Sequence, residues 1–167
     1  QAMRAHEMIA DLMLFARPPK LEVSECDLRQ IVLQVADEHR EWAGERTIEV
    51  VSEVGDTPIL IVADATQLAV AIAAVVTNTI EAVGKSGQVA ITTREFVAAD
   101  IRTAEVVVRD DGPGISPAVR EHLFDPFFSG REAGRGLGFG LSKCWRIVTN
   151  HGGQIVVSGE FHHEAVS

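Results

Sequence analysis

The chain has 167 residues, 46% of them hydrophobic, and a formal net charge of −9. That size and apolar content suit one globular domain with a sizeable core, while the acidic balance argues against a nucleic-acid surface, which needs clustered Lys and Arg. No apolar run approaches the roughly 20 residues of a bilayer span and no signal peptide opens the sequence, so this piece is expected to be soluble. Cys26 and Cys144 stand apart without a CxxC pair, which fits a reduced, cytoplasmic setting with both thiols as small hydrophobes.

Residues 1–16 carry a helical stripe of Ala5, Ile9, Leu12 and Ala16, with Met8 and Phe15 beside it, and Arg17-Pro18-Pro19 stops it. A pattern already in mid-helix at Gln1 reads as cut from something longer. Leu21 and Val23 alternate as a short strand. Asp27, with Gln30 three residues on, opens a helix through Leu28, Ile31, Val32 and Val35 to about Trp42. Strands are expected at 47–54 and 59–62, and a third helix at 65–83, ended by Gly84 and Gly87. Two more strands follow at 88–93 and 104–109. Residues 111–139 hold turn residues and little periodicity. A last helix begins near Gly140 and ends at His151-Gly152-Gly153, followed by a strand at 154–158. Too few regular βαβ units are present for a doubly wound sheet. The expected fold is a two-layer α/β sandwich, one mixed sheet with helices on one face.

Three segments carry the chemistry. On the third helix, Leu68, Ile72, Val75, Val76, Ile80 and Val83 form a core stripe, while Gln67, Ala71, Ala74, Asn78, Glu81 and Lys85 form a second. The alanines let another group approach closely, and Asn78 and Glu81 offer oxygens to a hard cation such as Mg²⁺. A solvated helix face has the same pattern. After a strand, Arg109-Asp110-Asp111-Gly112-Pro113-Gly114 combines glycine freedom with a carboxylate that can accept from an exocyclic amine. An ordinary turn looks alike. Finally, Gly134-Arg135-Gly136-Leu137-Gly138-Phe139-Gly140-Leu141-Ser142 opens the last helix, and seven of the 14 glycines lie between Asp110 and Gly140. Exposed N–H groups at a helix start suit an anion. The spacing is neither a P-loop nor a dinucleotide fingerprint, and a hinge is the other reading.

Taken in order, these segments resemble the sensor histidine kinases. Asn78-Thr79-Ile80-Glu81-Ala82 is similar to their N box, Asp110-x-Gly112-x-Gly114 to the G1 box, Leu123-Phe124-Asp125-Pro126-Phe127-Phe128 to the F box and Gly136-x-Gly138-x-Gly140-Leu141 to the G2 box. The resemblance covers about Leu21 to Ser158. It implies the Bergerat ATP-binding fold of the GHKL superfamily, with Asn78 on Mg²⁺, Asp110 on the adenine amine and an ATP lid over about 111–139. Phe127 would pin the lid's base, and Gly136, Leu137, Gly138, Gly140 and Leu141 would wrap the phosphates beside Gly112 and Gly114. Arg131 is a candidate γ-phosphate contact or a surface arginine.

The implied division is 1–18 as the end of a second dimerisation helix and 19–167 as the catalytic ATP-binding domain. The implied activity is γ-phosphoryl transfer from ATP to a histidine on that dimerisation hairpin, in a homodimer that serves a downstream response regulator. The parent protein could be membrane-anchored. His6-Glu7 resembles part of an H box, but Met8-Ile9-Ala10-Asp11 lacks the Arg-Asn-Pro-Leu continuation, so the acceptor histidine is expected outside this chain. Ala74 stands where many relatives have a second asparagine and the hydrolysing cousins a water-activating glutamate. After Ser158 the tail lacks the usual Gly-Thr-Phe closure, and His162-His163 reads as solvated. An anti-sigma-type serine kinase and a non-catalytic ATP-gated interaction module are the alternatives. The former is disfavoured by the helix remnant ending at Phe15–Pro19.

Overall fold

The computed structural model describes Ile9, Met13, Arg17, residues 19–126, Phe128 and residues 140–159. Most of 1–18, the rest of 127–139 and the tail from 160, with His6 and His162-His163, lie outside the described residues. Strand β1 (Ser24–Asp27) leads into helix α1 (Leu28–Gly44), then β2 (Ile48–Glu53), β3 (Leu60–Ala63) and helix α2 (Ala65–Val83). A hairpin of β4 (Gly87–Ala98) and β5 (Ile101–Asp110) follows, then the short helix α3 (Pro117–Glu121) and helix α4 (Gly140–Asn150).

Helix α1 starts at Asp27, whose Oδ1 accepts from the amides of Arg29 (3.0 Å) and Ile59 (3.1 Å). The cap thus bonds Arg29 rather than closing a box with Gln30. The buried Arg29 guanidinium pairs with Asp27 at 2.9 Å and donates to the Gly55 carbonyl at 2.9 Å, so one ion pair fastens the helix start to the β2–β3 turn. Leu28, Ile31, Val32, Val35 and Ala36 face inward and pack with Ile48 and Val50 of β2, Ile72, Val76 and Ile80 of α2, and Val89 and Ile91 of β4. Helices α1 and α2 therefore cover one face of the sheet.

That sheet has the order β2-β4-β5. Strand β2 runs parallel to β4, with Val50 opposite Val89, and β4 is antiparallel to β5. Strands β1 and β3 form a separate antiparallel pair, so the strands divide into two sheets where the sequence suggests one. The first strand is Ser24–Asp27, not Leu21–Val23, because its register opposite Leu60–Ala63 sets its limits. The hairpin outruns its expected strands. Paired Arg94 and Glu105, with Arg102 bonded to Glu95, extend it past the apolar alternation to a two-residue turn at Ala99-Asp100, both at positive φ. Helix α3, not foreseen, is nucleated by the Ser116 cap and Pro117 at its first turn. Residues 154–158 pair with no strand among the described residues: Ile155 rests on the α2–α4 contact while Val156 stays 80% exposed.

Helix α2 has the expected bounds. By length and composition it is also apolar enough to cross a membrane, contrary to the sequence reading, yet it packs on α1, the sheet and α4. Its cap, Asp64, is buried. Oδ1 accepts from Gln67 N (3.0 Å), Oδ2 accepts from Glu22 N (3.0 Å), and its own amide donates to His151 Nε2 (3.1 Å). These donors, Glu22 first, hold the Asp64 carboxyl below its usual pKa, as Arg29 does for Asp27. A lowered carboxyl pKa stabilises the fold above about pH 4, and that stabilisation is lost as pH falls through the folded value. Asp64→Ala is expected to cost about 1–3 kcal/mol at pH 7. Denaturant titrations should show this gap narrowing at pH 3, and a gap unchanged there would disprove the carboxylate's role.

Candidate functional site

The site is built at the C-terminal end of α2. That helix has three working faces. Ile72, Val76 and Ile80 press on the core, while Ala65, Ala69 and Ala73 share a second stripe against it. Ala71 and Ala74 form a third face, where Cys144 and Ile147 of α4 dock. The room left by this last pair, read from sequence as space for an approaching group, is filled by a helix along Ala71 and Ala74. Burial pushes the Cys144 thiol up to about 12, making it an inert core residue.

Contacts between α2 and α4 run in reverse order, His151 at Asp64 and then Ile147 and Cys144 at Ala71, so the helices are antiparallel. His151 fixes that register. Its Nδ1–H donates to the Ile147 carbonyl (2.8 Å), which leaves Nε2 as the acceptor for the Asp64 amide. Ala74 and Val75 of α2 pack on this same contact, and Gly140 and Leu141 lie about one turn before Cys144 at the start of α4. Asn78 is half-buried and Glu81, almost one turn on, is exposed.

Two glycines close the other side. A Cβ on Gly87 would lie 2.5 Å from Asp111 Oδ1 and 2.7 Å from Val83 Cγ1. One on Gly112 would meet Asp110 Oδ1 at 2.8 Å and Val83 Cγ2 at 3.3 Å. Only glycine lets the start of β4 and the turn after β5 press against Val83, the last residue of α2. Asp111 Oδ1 accepts from Gln88 N (2.8 Å), and Asp110 Oδ1 accepts from Gly112 N (2.9 Å). Asp110 Oδ2 has no partner among the described residues and can accept from a ligand donor. Gly114 sits at φ +79°, a backbone that favours glycine.

The described structure therefore brings Asp110 and Gly112 against Val83, at the end of the helix that carries Asn78 and Glu81; Gly114 follows in the same turn, and Gly140 and Leu141 open the neighbouring helix. Phe127, Arg131, Gly136, Leu137 and Gly138 lie outside the described residues. Of the aromatic segment, Phe128 is half-buried with its ring 5.4 Å from His122, whose Nδ1 is 2.8 Å from Asp125 Oδ2. Sequence reasoning passed over Asp64, although an aspartate three residues before Gln67 has the form of an N-cap. It also gave no role to His39 and saw His151 only as a helix exit. The partners of both lie on other elements, where local patterns carry no signal.

This fold and site define an ATP-binding class of domain. Residues 63–165 match the histidine kinase-, DNA gyrase B- and HSP90-like ATPase family, and the chain belongs to it. Within that family it is similar to sensor histidine kinases of two-component systems. It is 28% identical over 160 residues to sensor histidine kinase ZraS of Escherichia coli K12, covering 96% of this chain and 33% of ZraS. To the sensory histidine kinase/phosphatase NtrB of Vibrio alginolyticus it is 31% identical over 157 residues, covering 89% of this chain and 44% of NtrB. The chain thus spans less than half the length of these relatives. Among solved structures, full-length ShkA in complex with AMPPNP superposes with a TM-score of 0.80 at 27% identity, over 93% of this chain and 33% of ShkA. The nucleotide-free catalytic domain of ThkA gives 0.67 at 29% identity, over 77% of this chain and 81% of that domain.

The close approach at Val83 is testable by stability alone. Gly87→Ala must displace Asp111 from Gln88 or move Val83, and is expected to cost about 1–3 kcal/mol. Gly44→Ala, where nothing lies within 4 Å of the new methyl, should be neutral or stabilising by up to about 1 kcal/mol. Equal effects in urea titrations would show that the approach is not tight.

Proposed function

We propose that this chain binds ATP with Mg²⁺ and transfers the γ-phosphoryl group to a histidine on a dimerisation hairpin, as the catalytic domain of a two-component sensor kinase. The observation that carries the reading is the close approach of the Asp110–Gly112 turn to Val83, at the end of the helix that bears Asn78, in a chain of this ATPase family. Asp110 would accept from the adenine amine through Oδ2, while its Oδ1 stays on Gly112. Gly114 and the N-terminal amides of α4, from Gly140 and Leu141, would face the phosphates, helped by the helix dipole.

The donor set fits magnesium held partly by the nucleotide. Among the described residues no cluster of three or more His, Cys, Asp or Glu could cage a metal. Mg²⁺ commonly takes one or two protein oxygens and completes its shell with phosphates and water. Asn78 is the proposed protein ligand, and Glu81 lies near enough along the helix to assist. When bound, the ion neutralises phosphate charge during transfer. The chain's own task is to hold the triphosphate in line and exclude competing acceptors. The acceptor histidine's ring nitrogen attacks the γ-phosphorus, the bond to the β,γ-bridging oxygen breaks, and ADP leaves.

Ala74 matters here. It is packed beside Ala71 and Cys144, so no carboxylate stands at that position to activate water. Slow turnover to inorganic phosphate is the expected consequence. In this reading residues 1–18 would be the end of the second dimerisation helix, and the acceptor histidine, the second subunit of the homodimer and the response regulator would be its partners. The proposed setting is cytoplasmic.

Calorimetry with a non-hydrolysable ATP analogue and Mg²⁺ tests the reading, and no binding at millimolar ligand would reject it. Asp110→Asn should weaken binding about 10–100-fold, the worth of a hydrogen bond to a charged acceptor, with little loss of stability because an amide oxygen can still hold Gly112. Gly140→Ala has open space around its methyl and should fold normally while binding more weakly. Normal binding by both variants would remove these residues from the site.

A further inference from the structure

A second imidazole grips α2 from the side opposite His151. His39 of α1 donates from Nδ1 to the Val35 carbonyl one turn back (2.8 Å). In the neutral ring that bond leaves Nε2 as the acceptor, 3.0 Å from Thr77 Oγ1 as its donor. Thr77 continues the stripe of Ala65, Ala69 and Ala73, and its hydroxyl is directed to another helix. Its neighbour Thr79 does the ordinary thing for a helical threonine and bonds the carbonyl four residues back (2.9 Å). The imidazole is half-buried, with the Trp42 ring edge-on at 6.4 Å.

We propose that His39 and Thr77 are a positioning pair that fixes the rotation of α2 about its axis, and with it the direction in which Asn78 faces. Successive helical residues are about 100° apart. Holding Thr77 against α1 therefore directs Asn78 toward the α4 side, on the stripe of Ala71 and Ala74. Alanines flank the core stripe of Ile72, Val76 and Ile80 on both sides of α2. Apolar packing of this kind is non-directional. A hydrogen bond adds a directional restraint to it. His151 performs the matching service at Asp64, about 20 Å earlier along the helix by the rise per residue, so two imidazoles hold the helix at two points. The inference rests on the proposed nucleotide site, since Asn78 is its metal-binding residue.

The test is a double-mutant cycle on the whole chain with His39→Leu, Thr77→Val and the pair. Affinity is measured for the ATP analogue with Mg²⁺ and for ADP in a metal chelator. Each single variant is expected to lose about 5–10-fold in the magnesium-dependent affinity, the worth of one hydrogen bond. Metal-free ADP binding should be unchanged, because Asp110 is carried by β5. The double variant should be no worse than either single one, and His39→Gln, whose amide oxygen can replace Nε2, should recover most of the loss. Effects that multiply in the double variant, or that weaken both ligands equally, would overturn the pairing. Nitrogen NMR of His39 without nucleotide gives an independent check, with the Nδ1–H tautomer expected and the Nε2–H tautomer excluding the bond to the Val35 carbonyl, and with it the assigned geometry. Failure of wild-type binding would instead reject the nucleotide site itself.

Discussion

The arrangement of the molecule depends on one buried carboxylate and the amide of the same residue. Asp64 starts α2, receives the incoming chain at Glu22 and gives its own N–H to the end of α4. Three segments far apart in sequence are thereby referred to one point. A buried carboxylate is costly to desolvate unless its lone pairs are used, and here both oxygens accept backbone amides. The bonds are worth more for that reason. Breaking one would leave charge without compensation in a poorly solvated place. From this anchor, α4 runs back antiparallel along α2, with Cys144 and Ile147 docked at Ala71.

The opposite end of α2 is held by shape. Val83 is met by the start of β4 and by the turn after β5 only because positions 87 and 112 have no side chain. Asp111 and Asp110 then use their Oδ1 atoms to fold those two backbone segments onto themselves. Polar side chains at one end and missing side chains at the other leave α2 with little freedom to shift along its axis. This is what a site assembled from a helix, a strand end and a second helix start requires, because each element contributes only one or two groups.

Much of this was legible in the sequence, and the physical reasons separate what was from what was not. The bounds of α2 follow from strong local signals: an apolar run with helical spacing and a glycine exit. Its core stripe of Ile72, Val76 and Ile80 is buried as the periodicity requires. The motifs themselves could be read because each is short and self-contained. Sheet membership could not, since β1 pairs with β3 across 33 to 39 residues of separation in a register set by tertiary contacts. Strand 154–158 was overcalled because alternation describes a backbone's faces and not its partner. The alanines on α2 were correctly seen as making room, but what occupies that room at Ala71 is Cys144 and Ile147. Nothing in the spacing of His39 or His151 announces a bond to a helix 38 or 87 residues away.

The chain's charge constrains how the proposed site could work. A protein of net charge −9 does not draw a polyphosphate in by its long-range field, which at physiological salt fades within about 8 Å. Recognition must then come from groups in contact: backbone amides at a helix start, an acceptor for the base, and a divalent cation that arrives with the phosphates. Each of these is short-ranged and directional, so affinity depends on placement more than on charge. A basic pocket could tolerate a displaced ligand by Coulomb attraction alone. In the proposed site, placement falls on the contacts that hold α2: Asp64 with His151, Val83 against its two glycines, and His39 with Thr77.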